Sequence, residues 1–176
     1  MRLFLIRHAI AMNREDFTGS DDLLRPLTDV GRKKARRAFR GFQRMYGRPD
    51  LILHSAATRA IETAEILAQV TGAPTDQTKL LNPGADYAAF LKLMSEYGDA
   101  ADIEQLVLVG HEPDFSEILS GLVAPAADAA KGRAAFLHFD IKKASCIEVD
   151  LHAPGSGELL NFLSPKALRR LGKGGD

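Results

Sequence analysis

The chain has a single cysteine, Cys146, among its 176 residues. One thiol closes no intramolecular disulfide and builds no cysteine-based zinc site. Long apolar runs are missing too: nothing approaches the ~18 residues that a membrane-spanning helix needs. The first apolar run, Leu3 to Ile6, is far shorter than the apolar region of a secretory signal. A cytoplasmic, reducing location is therefore expected. Net charge is absent as well, because 23 Lys and Arg balance 23 Asp and Glu. Nothing global draws such a chain to nucleic acid or to anionic lipid, so neither partner is expected. The five histidines show no His-x-His or His-Glu-x-x-His spacing, and no metal or other cofactor is expected.

What is present is an ordinary globular composition, 45% hydrophobic and 26% charged. At this length a fold hides about 70% of the surface that the unfolded chain exposes. No internal repeat and no linker interrupts the sequence, so residues 1–176 are expected to form a single domain. The lack of a heptad or a long apolar edge points to a monomer. Charge is nonetheless uneven. Nine basic residues fall between Arg25 and Arg48, against one acidic residue, Asp29.

Hydrophobic periodicity predicts the elements. Arg2–Ile6, Leu51–Leu53 and Leu106–Val109 are short unbroken apolar runs, as in strands covered on both faces. Between them, Ala35, Ala38, Phe39, Phe42, Met45 and Tyr46 recur at helical spacing after the capping residue Thr28. Gly47 and Pro49 stop that helix. Ser55 is expected to cap a second helix with an inner stripe from Ala57 to Ala68, ended by Gly72 and Pro74. Asp86–Tyr97 reads as a third helix, and Pro113–Leu119 as a fourth with Pro113 in its first turn. Ala124–Lys131 reads as a loop or loose helix. Phe136–Ile141, Ile147–Leu151 and Leu159–Leu163 read as later strands, joined by turns at Lys142-Lys143 and Pro154-Gly155. The expected fold is three-layer α/β/α, with a mostly parallel central sheet and antiparallel C-terminal additions.

In such a sheet, ligands sit beyond the carboxyl ends of the parallel strands. Here those ends carry Arg7-His8, then His54-Ser55 with Arg59 one turn on, then Gly110-His111. If the strands are neighbours, two arginines and two histidines converge. Guanidinium forks match phosphoryl oxygens, and a neutral imidazole is a competent nucleophile. The set reads as a phosphoryl-transfer site. Taken singly, each member has a plainer reading: a surface arginine at a strand end, or a hydrogen-bonded scaffold histidine.

The chain also resembles the histidine phosphatase superfamily, which has the phosphoglycerate-mutase-like fold, and within it the short SixA-type phosphohistidine phosphatases. The matching pieces are Leu3–Ala9 with its Arg7-His8, Arg25-Pro26-Leu27-Thr28 with Gly31, Ser55 with Arg59-Ala60 and Thr63-Ala64, and Val109-Gly110-His111. The tail Leu163-Ser164-Pro165 is a looser match. The resemblance implies that His8 is the nucleophile and that Arg7, Arg59 and His111 grip the phosphoryl oxygens, with Ser55 a possible phosphate neighbour. It implies a metal-free reaction through phospho-His8, a phosphohistidine-bearing protein as substrate, and a role in signal transduction.

Two departures carry information. The family has Gly after the Arg-His pair and this chain has Ala9; a position needing only a small side chain would accept it. Larger members carry a glutamate that protonates the leaving group, whereas residues 80–86 here contain no Glu. Asp86, Glu112 and Asp114 are the candidate proton donors, and each has the alternative role of a helix-start carboxylate. Imidazole leaves phosphorus more readily than an alkoxide does, so a site without a dedicated acid suits phosphohistidine. The alternatives are a small-molecule phosphomonoesterase using Asp86 or Glu112, a non-catalytic phosphate-binding module, and RNA binding through the basic helix. His54 is expected to be structural, His138 and His152 to lie on the surface, and Cys146 to pack.

Overall fold

The computed structural model describes residues 1–97, 102–123 and 139–173. Six strands form one sheet: β1 (Arg2–Arg7), β2 (Leu51–His54), β3 (Thr75–Gln77), β4 (Gln105–Gly110), β5 (Cys146–Ala153) and β6 (Ser156–Leu163). Among the described residues, five α-helices accompany them: α1 (Asp29–Tyr46), α2 (Thr58–Thr71), α3 (Tyr87–Tyr97), α4 (Asp114–Val123) and α5 (Pro165–Leu171). The strand order is β3-β2-β4-β1-β5-β6. The first four are mutually parallel, and β5 and β6 add antiparallel to the β1 edge.

The buried strands explain the three layers. Side chains alternate faces along a strand. Phe4, Ile6, Ile52, Val107 and Val109 therefore join the buried faces of α1, α2 and α5. Leu3, Leu5, Leu53, Leu106 and Leu108 join those of α3 and α4 on the other side. Cys146 packs, fully buried, in the first of these clusters. Among the described residues, no helix is long and apolar enough to cross a membrane.

Several expectations need correction. β3 was not expected; Thr75, Asp76 and Gln77 are all exposed and polar, and only pairing with β2 makes them a strand. Of the strand expected at Phe136–Ile141, only residues 139–141 are described, and they form none; the Ile141 carbonyl accepts from Arg7 instead of joining a ladder. The Ala124–Lys131 segment and His138 lie outside the described residues. Helix α4 begins at Asp114, one residue after Pro113.

Helices α1 and α5 cross with their backbones almost touching. A Cβ on Gly41 would stand 2.1 Å from the Leu168 carbonyl oxygen. Replacing a mid-helix glycine with alanine ordinarily gains about 1 kcal/mol of helix propensity. Here backbone must move instead, and overpacking costs about 1–3 kcal/mol. Gly41→Ala is thus expected to lower the melting temperature by several degrees. A rise in the thermal melt would remove the close-crossing account.

Candidate active site

Register sets the site. Arg7 pairs with Gly110 and His54 with Val109, so three adjacent parallel strands end level. One residue further on stand His8, Ser55 and His111. The His8 amide donates to the Gly110 carbonyl at 3.0 Å, and the Ser55 amide to the Val109 carbonyl at 3.1 Å. The His8 and His111 rings end up with centroids 5.3 Å apart. Both are nearly enclosed, at 6% and 3% exposure.

Each group is held from its own element. His8 Nδ1 donates to the Ala9 carbonyl at 2.8 Å, which fixes the tautomer and leaves the Nε2 lone pair free. The Ala9 amide donates to Thr63 Oγ1, which donates in turn to the Arg59 carbonyl one turn back along α2. Arg59, the second residue of α2, is 4% exposed. Its guanidinium donates to the Asp22 carbonyl at 2.8 Å and pairs with the Asp22 carboxylate at 3.3 Å. Arg7 donates to the Ile141 carbonyl at 2.7 Å, while its own carbonyl accepts from the Ala144 amide. Between those anchors lies Lys143, half-buried; beside it Ala144 is held at φ 62°, a left-handed conformation that costs about 1 kcal/mol or more. On the opposite rim, the Ile10 carbonyl accepts from the Thr28 amide at the start of α1. A Cβ on Gly31 would stand 2.1 Å from that same oxygen, so only glycine lets α1 approach.

Ser55 is a correction. It was expected to cap α2, but the cap position is Ala57, with no side-chain hydrogen bond there. The Ser55 hydroxyl instead donates to Asn82 Oδ1 at 3.2 Å and accepts from the Ala57 amide. That leaves His111 Nε2–H to donate to it at 2.9 Å. Among the described residues, His111 Nδ1 is buried and has no partner, and the same holds for Arg7 Nε, Arg59 Nε and Glu112 Oε1. Such groups are rare in folded proteins and cluster where a ligand or a reaction uses them. A proton taken up at His111 Nδ1 gives the ring a second N–H donor and a positive charge.

Similarity to known proteins agrees with this geometry. The family model for the histidine phosphatase superfamily (branch 1) matches residues 3–83. An uncharacterized protein of Picosynechococcus sp. is 33% identical over 174 residues, covering 96% of this chain and 99% of its own. A candidate phosphohistidine phosphatase SixA from Agrobacterium tumefaciens superposes with TM-score 0.71 at 25% identity, covering 93% of this chain and 98% of its own. The chain belongs to the histidine phosphatase superfamily. Within it the likeness is to SixA-type members. A protein histidine phosphatase SixA complexed with tungstate gives TM-score 0.78 at 20% identity, over 96% of this chain and 99% of its own. The fold is shared beyond that branch: an α-ribazole phosphatase from Shigella flexneri gives TM-score 0.69 at 17% identity, over 94% and 97%.

The superfamily's Gly-to-Ala change is harmless to the backbone here. Ala9 is 1% exposed and is not among the residues with positive φ, so the position needs smallness rather than glycine's freedom. Asp86 takes the helix-start role, with its exposed carboxylate accepting from the Ala89 amide at 2.8 Å. Asp114 is buried and accepts from the Gly84 amide, and burial raises its pKa. Glu112 is the remaining carboxyl. Burial raises its pKa, Arg7's charge opposes that, and Ser116 donates to Oε2 at 2.7 Å. His54 is buried with Nδ1 on the Ser55 carbonyl, and His152 is exposed.

Asp22, Asn82 and Lys143 were missed because loops deliver them. Asp22 sits among Arg25, Arg14 and Arg59; the Arg25 hydrogen bond leads in holding its carboxyl at about 2. Lys143 is pushed down by burial and by Arg7, Arg25 and Arg59.

Burial pushes both site imidazoles down to about 3, and Arg59 and Arg7 add to the shift. Both rings are therefore neutral in the free site at neutral pH, as a nucleophile requires. Between about pH 6.5 and about pH 3 the unfolded chain binds protons at these rings that the folded chain refuses, so their burial costs stability as pH falls. His8→Asn is expected to lose less urea resistance than wild type between pH 7 and about pH 4.5. Equal losses would contradict the buried-neutral assignment.

Proposed function

We propose that this phosphatase hydrolyses phosphohistidine in protein through a phospho-His8 intermediate. The observation that carries the reading is the His8 tautomer: a neutral ring with Nε2 unengaged, beside His111 and within the field of Arg7 and Arg59. The His8 Nε2 lone pair attacks phosphorus, and the bond from phosphorus to the substrate's imidazole nitrogen breaks with its electron pair. A proton on the other ring nitrogen lets that imidazole depart neutral. Water then attacks phospho-His8 and releases inorganic phosphate, and the water's second proton passes to solvent. Arg7 and Arg59 stabilise the charge spread over the equatorial oxygens. His111, neutral in the free site, gains a proton at Nδ1 as the dianion enters. The structural likeness to a candidate phosphohistidine phosphatase SixA from Agrobacterium tumefaciens supports the choice of leaving group.

A second reading is phosphate-ester hydrolysis with Glu112 as proton donor. Its partnerless buried Oε1, raised pKa and proximity to Arg7 favour it. Turnover of a phosphohistidine peptide and an alkyl phosphate, each with wild type and Glu112→Gln, separates the two. The first reading expects the peptide to be preferred and to lose no more than about twofold in the variant. A preferred ester whose turnover falls about 10²-fold in Glu112→Gln would install the second reading instead.

A further inference from the structure

Helix α1 carries a surface that this reaction does not use. Arg32, Lys33, Arg36, Arg37, Arg40 and Lys173 line a groove of about 710 Å³ where α1 meets the end of α5. Asp29 is the one acid among the described residues of its wall. Little inside the protein answers this charge. Arg32 pairs with Glu62 at 2.5 Å, and Arg36 donates to the neutral Gln69 at 2.9 Å. Lys33, Arg37 and Arg40 are exposed and form no ion pair among the described residues. Holding these cations along about 12 Å of one helix is unfavourable by itself. An external polyanion relieves it.

The start of α1 lies close to the chain that carries His8. Thr28 starts α1 by hydrogen-bonding the Ile10 carbonyl, two residues beyond His8. Just there the surface turns apolar. Val30 is 55% exposed and shares a helical stripe with Lys33 and Arg37. Leu24 is 62% exposed, two residues from the Asp22 that clamps Arg59. The groove wall contains no aromatic residue on which bases stack. Exposed aliphatic residues at the rim with bare cations below match a polypeptide better than a nucleic acid.

We propose that the exposed face of α1, from Val30 down to Arg40, docks an acidic segment of the phosphorylated protein substrate. This rests on the phosphohistidine reading and names the feature that selects among phosphohistidine proteins. Charge of this kind acts mainly on encounter rate and on partner choice.

The test uses two phosphohistidine peptides of equal length, one with a tract of Asp and Glu, the other with Ser and Gly in its place. Wild type is expected to show a kcat/KM at least about tenfold higher on the acidic peptide at ~0.05 M salt, shrinking towards parity at ~0.5 M. Arg37→Glu/Arg40→Glu is expected to erase that preference, with unchanged turnover of an aryl phosphate and an unchanged thermal melt. Fluorescence anisotropy of the unphosphorylated acidic peptide supplies a readout independent of chemistry, and its affinity is expected to fall at least about tenfold in the variant. Equal handling of the two peptides by wild type overturns the proposal, as does unchanged anisotropy. So does a single-stranded RNA that outcompetes the acidic peptide for the same residues. If wild type cleaves the aryl phosphate but neither phosphohistidine peptide, the substrate reading falls, and the anisotropy arm still decides the groove.

Discussion

His8→Asn is expected to lower kcat/KM by at least about 10³-fold on every phosphorylated substrate, because it removes the nitrogen proposed to form the covalent bond. The loss should be independent of the leaving group, which separates a nucleophile from a group that only binds. A second readout is chemical. Wild type mixed with phosphorus-labelled substrate and quenched in alkali should retain label on the protein, since a bond from phosphorus to imidazole nitrogen survives base and is lost in acid. The variant should retain none. The folded state should persist, because the ring is enclosed by backbone that the smaller amide does not disturb: the His8 amide stays on Gly110 and the Ala9 amide on Thr63. A labelled variant, or one with near-wild-type turnover, would sink the assignment of His8.

The second large effect concerns Arg59. Arg59→Ala removes a buried fork that the proposed mechanism sets against the phosphoryl oxygens, and turnover should fall about 10²- to 10³-fold. Arg59→Lys should recover little, because one ammonium cannot span two oxygens as a guanidinium does. Arg59 carries a further duty that makes the measurement sharper. In the free site it holds Asp22, which Arg25 and Arg14 also grip. An entering dianion must share or displace that carboxylate. Asp22→Asn is therefore expected to tighten inhibition by inorganic phosphate while Arg59→Ala weakens it. Movement of both variants in the same direction would mean that Asp22 and phosphate do not compete for the guanidinium.

These residues differ in how openly the sequence displays them. Arg7, His8 and His111 follow unbroken apolar runs, and Arg59 lies one turn beyond another. A reader who accepts the runs as parallel strands can place all four at one edge. What the runs do not reveal is order: β4 lies between β1 and β2, and that brings the two imidazoles within a ring's width. α1 was visible through its 3.6-residue period and its Thr28 cap, whose hydroxyl accepts from the Gly31 amide. β3 was invisible because three exposed polar residues carry no pattern of their own. Ser55 misled because cap chemistry explained it locally. Its true partners, Asn82 and His111, stand 27 and 56 residues away. Asp22 and Lys143 were hidden for the same reason, since a loop's approach to a site is decided by everything it packs against.

The hydrogen bond from His8 to the Gly110 carbonyl joins positions that a growing polypeptide emits far apart in time. No fragment ending before His111 can possess both imidazoles, so the nascent chain cannot assemble the proposed site until synthesis has passed that residue. The same long loop closure is slow to make and is undone only when the central strands separate. Loss of turnover in a mutant library will consequently report on the integrity of the whole sheet, even for substitutions far from any phosphate.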